Sequence, residues 1–205
     1  QGVSSAASDV YKRQAKNTQR LNRMVDDILD VAHVEPASAA RQPLLTQAAG
    51  SVAGIVEEWR SLHARAVDLT LDLPESACLD IDPEHLRRLL VNLLDNAQRH
   101  GTAAPVAIQA WAQRNAGGEI EIAVWSAGPA IDASLQEHLF DPFFSSDSRS
   151  SGLGLFLCRE LCERYGGQIA YQRMARHDTP GNAFVLQLPT HLPSESDRTA
   201  MSFTT

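Results

Sequence analysis

The sequence contains no uninterrupted apolar run of the about 18 residues that a membrane-crossing helix needs, so the chain as given is expected not to cross a bilayer by that route. It has only 3 cysteines, an odd number with no CxxC pair, which excludes a secreted disulfide framework and suits reduced cytosolic thiols. Cys158 and Cys162 are spaced to share one helix face, but they fall in an apolar helical pattern and read as core packing rather than as metal ligands. Positive charge is also short. With 18 Lys and Arg against 25 Asp and Glu, the formal net charge is -7, which argues against a protein that coats nucleic acid. What is present suffices for one main domain, since 43% of the 205 residues are hydrophobic.

The most informative stretch is Leu86 to Gly101, LRRLLVNLLDNAQRHG. At about 100° per residue, Leu86, Leu90, Leu93 and Ala97 fall on one stripe, and Arg88, Asn92, Asn96 and Arg99 fall on the adjoining one. One face packs and the other is left to bind. An amide oxygen is a hard, neutral Mg²⁺ ligand, and an arginine one turn on can take phosphate charge, so the second stripe suits a metal-bridged triphosphate. Taken alone, the segment fits an ordinary amphipathic helix with solvated amides equally well. Asp82-Pro83-Glu84 supplies its start, with a capping carboxylate, a proline in the first turn and an acid at the positive dipole end.

Upstream, Ser4 to Gln14, SSAASDVYKRQ, can be written back in codons as a transposase library adaptor, so residues 1–14 are read as a scar outside fold reasoning. Leu21, Met24, Val25, Ile28, Leu29 and Ala32 then recur at helical spacing over residues 15–33. Pro36 and Pro43 bracket a linker. A helix is expected from Leu44 to Ala64, strands at Val67 to Leu73 and Cys78 to Ile81, and a strand pair at Val106 to Gln113 and Glu119 to Trp125. Helices at Ser134 to Leu139 and Leu155 to Tyr165 follow, and strands at Ile169 to Arg173 and Ala183 to Leu188 close the sheet. Residues 194–205 are polar, without periodicity, and read as a tail.

After the asparagine helix come EIEIAVWSAGPAI (Glu119 to Ile131), LFDPFF (Leu139 to Phe144) and SGLGLFLCRELCERYGGQI (Ser151 to Ile169). In this order the segments resemble the asparagine, first-glycine, phenylalanine and second-glycine boxes of the sensor histidine kinase ATP-binding domain, in the GHKL superfamily. The wording of the last two boxes is closest to the pilus-sensor and nitrogen-sensor branch. The resemblance implies an α/β two-layer sandwich of the Bergerat type, with helices across one face of a mixed sheet. It divides the chain into the second helix of a dimerisation and phosphotransfer hairpin (15–36) and a catalytic domain (37–193). The first hairpin helix, which would carry the phosphoacceptor histidine, is missing from the sequence. His33 does not replace it, because the family's motif has an acid directly after that histidine and here Val34 follows.

The resemblance further implies ATP and Mg²⁺ as ligands. Asn96 would be the metal ligand, Asn92 would support phosphates or metal, Arg99 would face phosphate, and His100 would border the nucleotide. Ser126, Gly128 and Ile131 belong to the first-glycine box, Phe143 to the phenylalanine box and Arg149 to the lid. Gly152, Leu153, Gly154 and Leu155 form the turn whose backbone N–H groups approach the phosphates at the start of a helix. Phe140, Phe143 and Phe144 are expected to anchor the base of the mobile loop. The superfamily's ATPases carry a glutamate base where this chain has Asn92, and an amide takes no proton at neutral pH, so a kinase is favoured over an ATPase; the N-terminal helix Leu21 to Ala32 disfavours both an ATPase and an anti-sigma-type kinase. Implied partners are a response-regulator receiver domain and a second copy in the parent protein, itself a bacterial inner-membrane sensor with this part in the cytoplasm. The chain departs from the pattern at Ser126, where the family has an aspartate that reads the adenine amino group, at Ala130, and in the lid at Asp147 and Ser150. Those departures keep open an alternative, a pseudokinase or phosphatase-type regulatory module with weakened nucleotide binding.

Overall fold

A computed structural model describes residues 44–102, 108–145 and 151–191. The adaptor-like segment, the helix expected over residues 15–33, the linker prolines, Asp147, Arg149, Ser150 and the expected tail lie outside the described residues.

In chain order the elements are β1 (Leu45–Gln47), α1 (Ala48–His63), β2 (Val67–Asp72), β3 (Cys78–Asp80), α2 (Pro83–His100), β4 (Ile108–Arg114) and β5 (Ile120–Ala127). A short α3 (Ala133–Gln136), α4 (Gly154–Arg164), β6 (Gln168–Arg176), β7 (Thr179–Leu188) and β8 (Thr190–His191) complete the described chain. Five strands form a mixed sheet in the order β2-β4-β5-β7-β6, with β2 parallel to β4 and the other pairings antiparallel.

Alternation along the strands gives this sheet two unlike faces. Ile108, Ile120, Ile122, Leu186 and Leu188 point one way, into a core completed by Val52, Val56 and Trp59 of α1, the leucines of α2, and Leu157 and Leu161 of α4. The expected two-layer architecture is therefore present, with the helices on one face. On α2 the buried stripe is wider than expected, because Leu89 and Leu94 join Leu86, Leu90, Leu93 and Ala97. Asp82 caps that helix as foreseen, its carboxylate accepting from the Glu84 N–H at 2.8 Å. Cys158 and Cys162 are fully buried in the same core, where loss of hydration pushes the Cys162 thiol up to about 12 and raises that of Cys158 as well.

The opposite face carries a smaller cluster of Trp111, Ala123, Trp125, Ala183 and Val185. The Trp125 indole lies against the backbone of β7 and donates to the Met174 carbonyl at 3.2 Å. A Cβ on Gly181 would sit 2.3 Å from that indole, so only glycine lets the ring lie there. The Arg176 guanidinium covers the Trp111 ring at 4.4 Å from its centroid.

Several boundaries differ from the sequence reading. The helix expected from Leu44 starts only at Ala48, because Leu45–Gln47 pairs with β3 as a strand, Thr46 donates its hydroxyl to the Ile81 carbonyl, and Gln47 caps the helix by accepting from the Gly50 N–H. With β8 these strands form a separate three-stranded antiparallel sheet, so Cys78–Asp80 is not part of the main one. The helix expected at Ser134 to Leu139 is confined to Ala133–Gln136. Strands β6 and β7 run further toward each other than expected and close through His177 and Asp178, both at positive φ (48° and 60°). That geometry normally calls for Asn-Gly, which hides the hairpin in the sequence.

Two glycine substitutions test this packing. Gly181→Ala should destabilise the fold by about 1–3 kcal/mol through overpacking against Trp125. Gly54→Ala, at an exposed helix position with no atom within 4 Å of the new Cβ, should stabilise by up to about 1 kcal/mol. Thermal unfolding of both variants checks the pair, and an unchanged Tm for Gly181→Ala would contradict the seating of Trp125.

Candidate functional site

The C-terminal half of α2, the end of β5 with the turn after it, and the start of α4 enclose a cavity of about 430 Å³. Helix α2 contributes Asn92, Asn96, Arg99 and His100, all four foreseen in the sequence. Three of the four residues of the expected binding stripe, Asn92, Asn96 and Arg99, line the cavity. Arg88 is not among the lining residues and lies 3.7 Å from Glu84, whereas Asp95 does line the cavity. Residues 92, 95, 96 and 99 follow the three-and-four spacing of one helix face, so Asp95 was within reach of the sequence reading. Its carboxylate accepts from the buried Trp59 indole at 2.8 Å, which fixes α2 against α1 just behind the site.

Asn92 and Asn96 are half-buried, and neither side chain makes a hydrogen bond among the described residues. Buried amides normally find partners within the protein. Unspent amides at a cavity wall are groups with capacity left for a ligand. Arg99 stands exposed at the rim.

From the far side, the turn into α4 brings Gly152, Gly154 and Leu155 to the same cavity. Gly152 has φ +71°, and a Cβ there would lie 2.6 Å from the Phe143 carbonyl carbon and 2.8 Å from the Phe144 nitrogen. A Cβ on Gly154 would lie 3.1 Å from the Asn92 Oδ1. Helix α2 and the turn into α4 therefore meet at Gly154, while Gly152 is seated against the Phe143–Phe144 backbone. Leu153 does not line the cavity; it is only 3% exposed and packs inward, and its N–H faces the Ser151 hydroxyl at 3.3 Å.

Strand β5 delivers Ser126 to the wall, and the following turn delivers Pro129, Ala130 and Ile131. The Thr102 N–H donates to the Ala127 carbonyl at 2.8 Å, which ties the end of α2 to the end of β5. Gly128, foreseen as a contact residue, is not part of the lining. Its backbone packs behind the wall, where a Cβ would meet the His100 carbonyl oxygen at 3.4 Å and the Asn182 Nδ2 at 3.5 Å. Asn182 itself lines the cavity and went unrecognised in the sequence, since it stands just before the strand expected from Ala183, which the structure extends back to Thr179. It holds the turn to the sheet: Nδ2 donates to the Pro129 carbonyl at 2.9 Å, while Oδ1 accepts from Tyr171 at 2.8 Å and from Arg173 at 3.0 Å.

The aromatic anchors divide. Phe140 packs edge-on to Phe184 at 6.3 Å and Phe144 lines the cavity, but Phe143 is 70% exposed at φ +64° and neither anchors the loop base nor touches the cavity. The foreseen Arg149 lies outside the described residues.

Residues 81–192 match the family described as histidine kinase-, DNA gyrase B-, and HSP90-like ATPase, and the chain belongs to that family. Sensor kinases are among its relatives. The sensor histidine kinase ZraS of Escherichia coli is 29% identical over 192 residues, which cover 91% of this chain and 38% of ZraS. The sensor protein kinase PilS of Pseudomonas aeruginosa, from the branch singled out by the wording of the last boxes, is 28% identical over 76% of this chain and 29% of its own length. The chain spans less than half the length of these relatives. Among solved structures, the crystal structure of full-length ShkA in complex with AMPPNP has the same fold, with a TM-score of 0.68 over 93% of this chain and 39% of ShkA at 20% identity.

The two glycines of the turn are expected to respond unequally to alanine. Gly152→Ala meets fixed backbone from the left-handed region and should cost about 1–3 kcal/mol. Gly154→Ala meets only the end of the Asn92 side chain and should cost under about 1 kcal/mol. Denaturant unfolding checks this, and equal losses would contradict the difference between rigid backbone beside one glycine and a yielding side chain beside the other.

Proposed function

We propose that this chain is the ATP-binding catalytic domain of a two-component sensor histidine kinase, supplying the γ-phosphoryl group of Mg-ATP to a phosphoacceptor histidine for relay to a response-regulator receiver domain. The observation that carries the reading is the convergence of unspent amides and a glycine turn, Asn92 and Asn96 with Gly152 and Gly154, on one cavity. The apolar part of the lining, Val124, Ile131, Leu155 and Phe184, suits the faces of a flat base. The polar part suits its phosphates. Helix α4 begins at Gly154, so its positive end and its unpaired first N–H groups are available to anionic oxygens.

The donor set fits a magnesium ion shared with a nucleotide. An Asn96 carboxamide oxygen is a neutral hard ligand, and phosphate oxygens and water supply the remainder. Bound there, the ion would neutralise phosphate charge during transfer. Arg99 takes further phosphate charge at the rim, and His100 borders the nucleotide. Phosphoryl transfer of this kind asks the protein for positioning and charge neutralisation more than for covalent chemistry. Asn92 cannot act as a general base at neutral pH, which favours transfer to histidine over transfer to water.

The same reading assigns residues 15–36 to a dimerisation hairpin, the parent protein to a homodimer, and this region to the cytoplasmic side of an inner-membrane sensor. Among the described residues no helix is long and apolar enough to cross a membrane. One observation favours a second reading, a nucleotide-weak regulatory module: Ser126 offers the site a neutral hydroxyl and no charge.

Calorimetric titration of ATP with and without Mg²⁺ separates the two. The kinase reading expects metal-dependent binding that Asn96→Ala weakens by about 10-fold or more, the scale of one lost charge-assisted contact. No detectable binding would favour the regulatory module. The chain alone is expected not to label itself with radioactive ATP, and label recovered on His33 would contradict the assignment of that residue.

A further inference from the structure

Three polar side chains are buried among the described residues, Thr46, Gln109 and Ser126. Two are satisfied internally: Thr46 donates to the Ile81 carbonyl at 2.6 Å, and Gln109 lies 3.1 Å from His177 Nδ1 and accepts from Arg176 at 2.9 Å. Ser126, 9% exposed, makes no hydrogen bond among the described residues and lines the cavity. A Cβ on its neighbour Gly101 would lie 3.3 Å from the Ser126 Oγ, so glycine at that position leaves the hydroxyl uncovered.

The surroundings define what that hydroxyl can meet. On the same strands, one step further in, Val124 and Phe184 pair across β5 and β7 and give the cavity an apolar floor. Beside Ser126, its strand partner Asn182 is already committed to Tyr171, Arg173 and Pro129. The lining carboxylates lie elsewhere, Asp95 on α2 beneath Trp59 and Asp132 exposed at the start of α3. At the strand end of the cavity, a single rotatable hydroxyl is left to read the edge of a bound base.

A hydroxyl both donates one hydrogen bond and accepts others, whereas a carboxylate only accepts. The exocyclic amino group of adenine donates, and the carbonyl oxygen at the same place on guanine accepts. The geometry points to Ser126 as a permissive specificity residue that accommodates either purine, so that Mg-ATP and Mg-GTP bind within about 10-fold of each other. The inference rests on the nucleotide reading above and goes beyond it by naming which bases the site takes.

The test is competitive titration of the purified chain with Mg-ATP and Mg-GTP, for the unaltered sequence and for Ser126→Asp and Ser126→Ala, with folding checked by circular dichroism. The unaltered chain should discriminate by less than about 10-fold. Ser126→Asp should shift the ratio toward ATP by about 10-fold or more, because an ionised acceptor favours the amino group and repels the carbonyl. Ser126→Ala should weaken both nucleotides by similar factors and leave the ratio as it was, and it carries the mutational test if the aspartate variant does not fold. Preference for ATP beyond 10-fold in the unaltered chain, or an unchanged ratio in folded Ser126→Asp, overturns this inference and leaves the ATP reading standing. Failure to bind either nucleotide overturns the ATP reading and this inference with it.

Discussion

The close approach between α2 and the turn into α4, where Gly154 faces the Asn92 amide with room for a Cβ only at 3.1 Å, is the contact on which the site depends. Everything the two helices bring to the cavity is positioned relative to that contact. Behind it the helices share one apolar core, with Leu89, Leu90, Leu93 and Leu94 of α2 and Leu157 and Leu161 of α4 in the same cluster. Rigid packing of this kind transmits small displacements, so a shift of either helix moves a wall of the cavity. A second brace acts at the other end, where Tyr165 just after α4 lies 2.7 Å from His85 Nδ1 and accepts from the Asp82 N–H at the start of α2.

The sheet sets the third wall. Strand β5 pairs with β4 from Ile120 to Trp125 and with β7 along its whole length, which makes its register hard to slip and fixes which side Ser126 faces. The unusual investment is on the far face, where Trp125 lies flat on Gly181. Trp125 and Ser126 are consecutive and point to opposite faces, so the packing of the indole on one side fixes the hydroxyl on the other. Asn182, the neighbour of Gly181 and the strand partner of Ser126, then ties the following turn in place. Ring, glycine, hydroxyl and amide form one unit that spans the sheet.

Much of this was legible from residue order. The asparagine helix, its aspartate cap, the alternating strands and the glycine turn each carry a local physical signature, and the structure places them as read. Most of what escaped had no local signature. Leu45–Gln47 is a strand only because Cys78–Asp80 lies beside it, and a glutamine is a poor advertisement for a helix cap. The hairpin at His177 and Asp178 holds both turn residues at positive φ without the glycine that usually marks such a turn. At the site, Gly128 and Leu153 stand between residues that line the cavity, yet the structure gives one a place behind the wall and the other a place in the core. Asp95 shares the three-and-four spacing of residues 92, 96 and 99 and was legible on that ground, whereas Asn182 stands just before the strand expected from Ala183 and carries no such signal.

The proposed function requires that the two asparagines of α2 and the glycine turn of α4 address the same metal-nucleotide complex. Substituting paramagnetic Mn²⁺ for Mg²⁺ with bound ATP, and recording which amide signals broaden in a nitrogen-15 spectrum, tests it directly. The account predicts broadening of the Asn92 and Asn96 side-chain amides together with the Gly152 and Gly154 backbone amides, and little effect on Trp111 or Trp125 across the sheet. Broadening that left the α2 side chains untouched, or that centred on another surface, would contradict it.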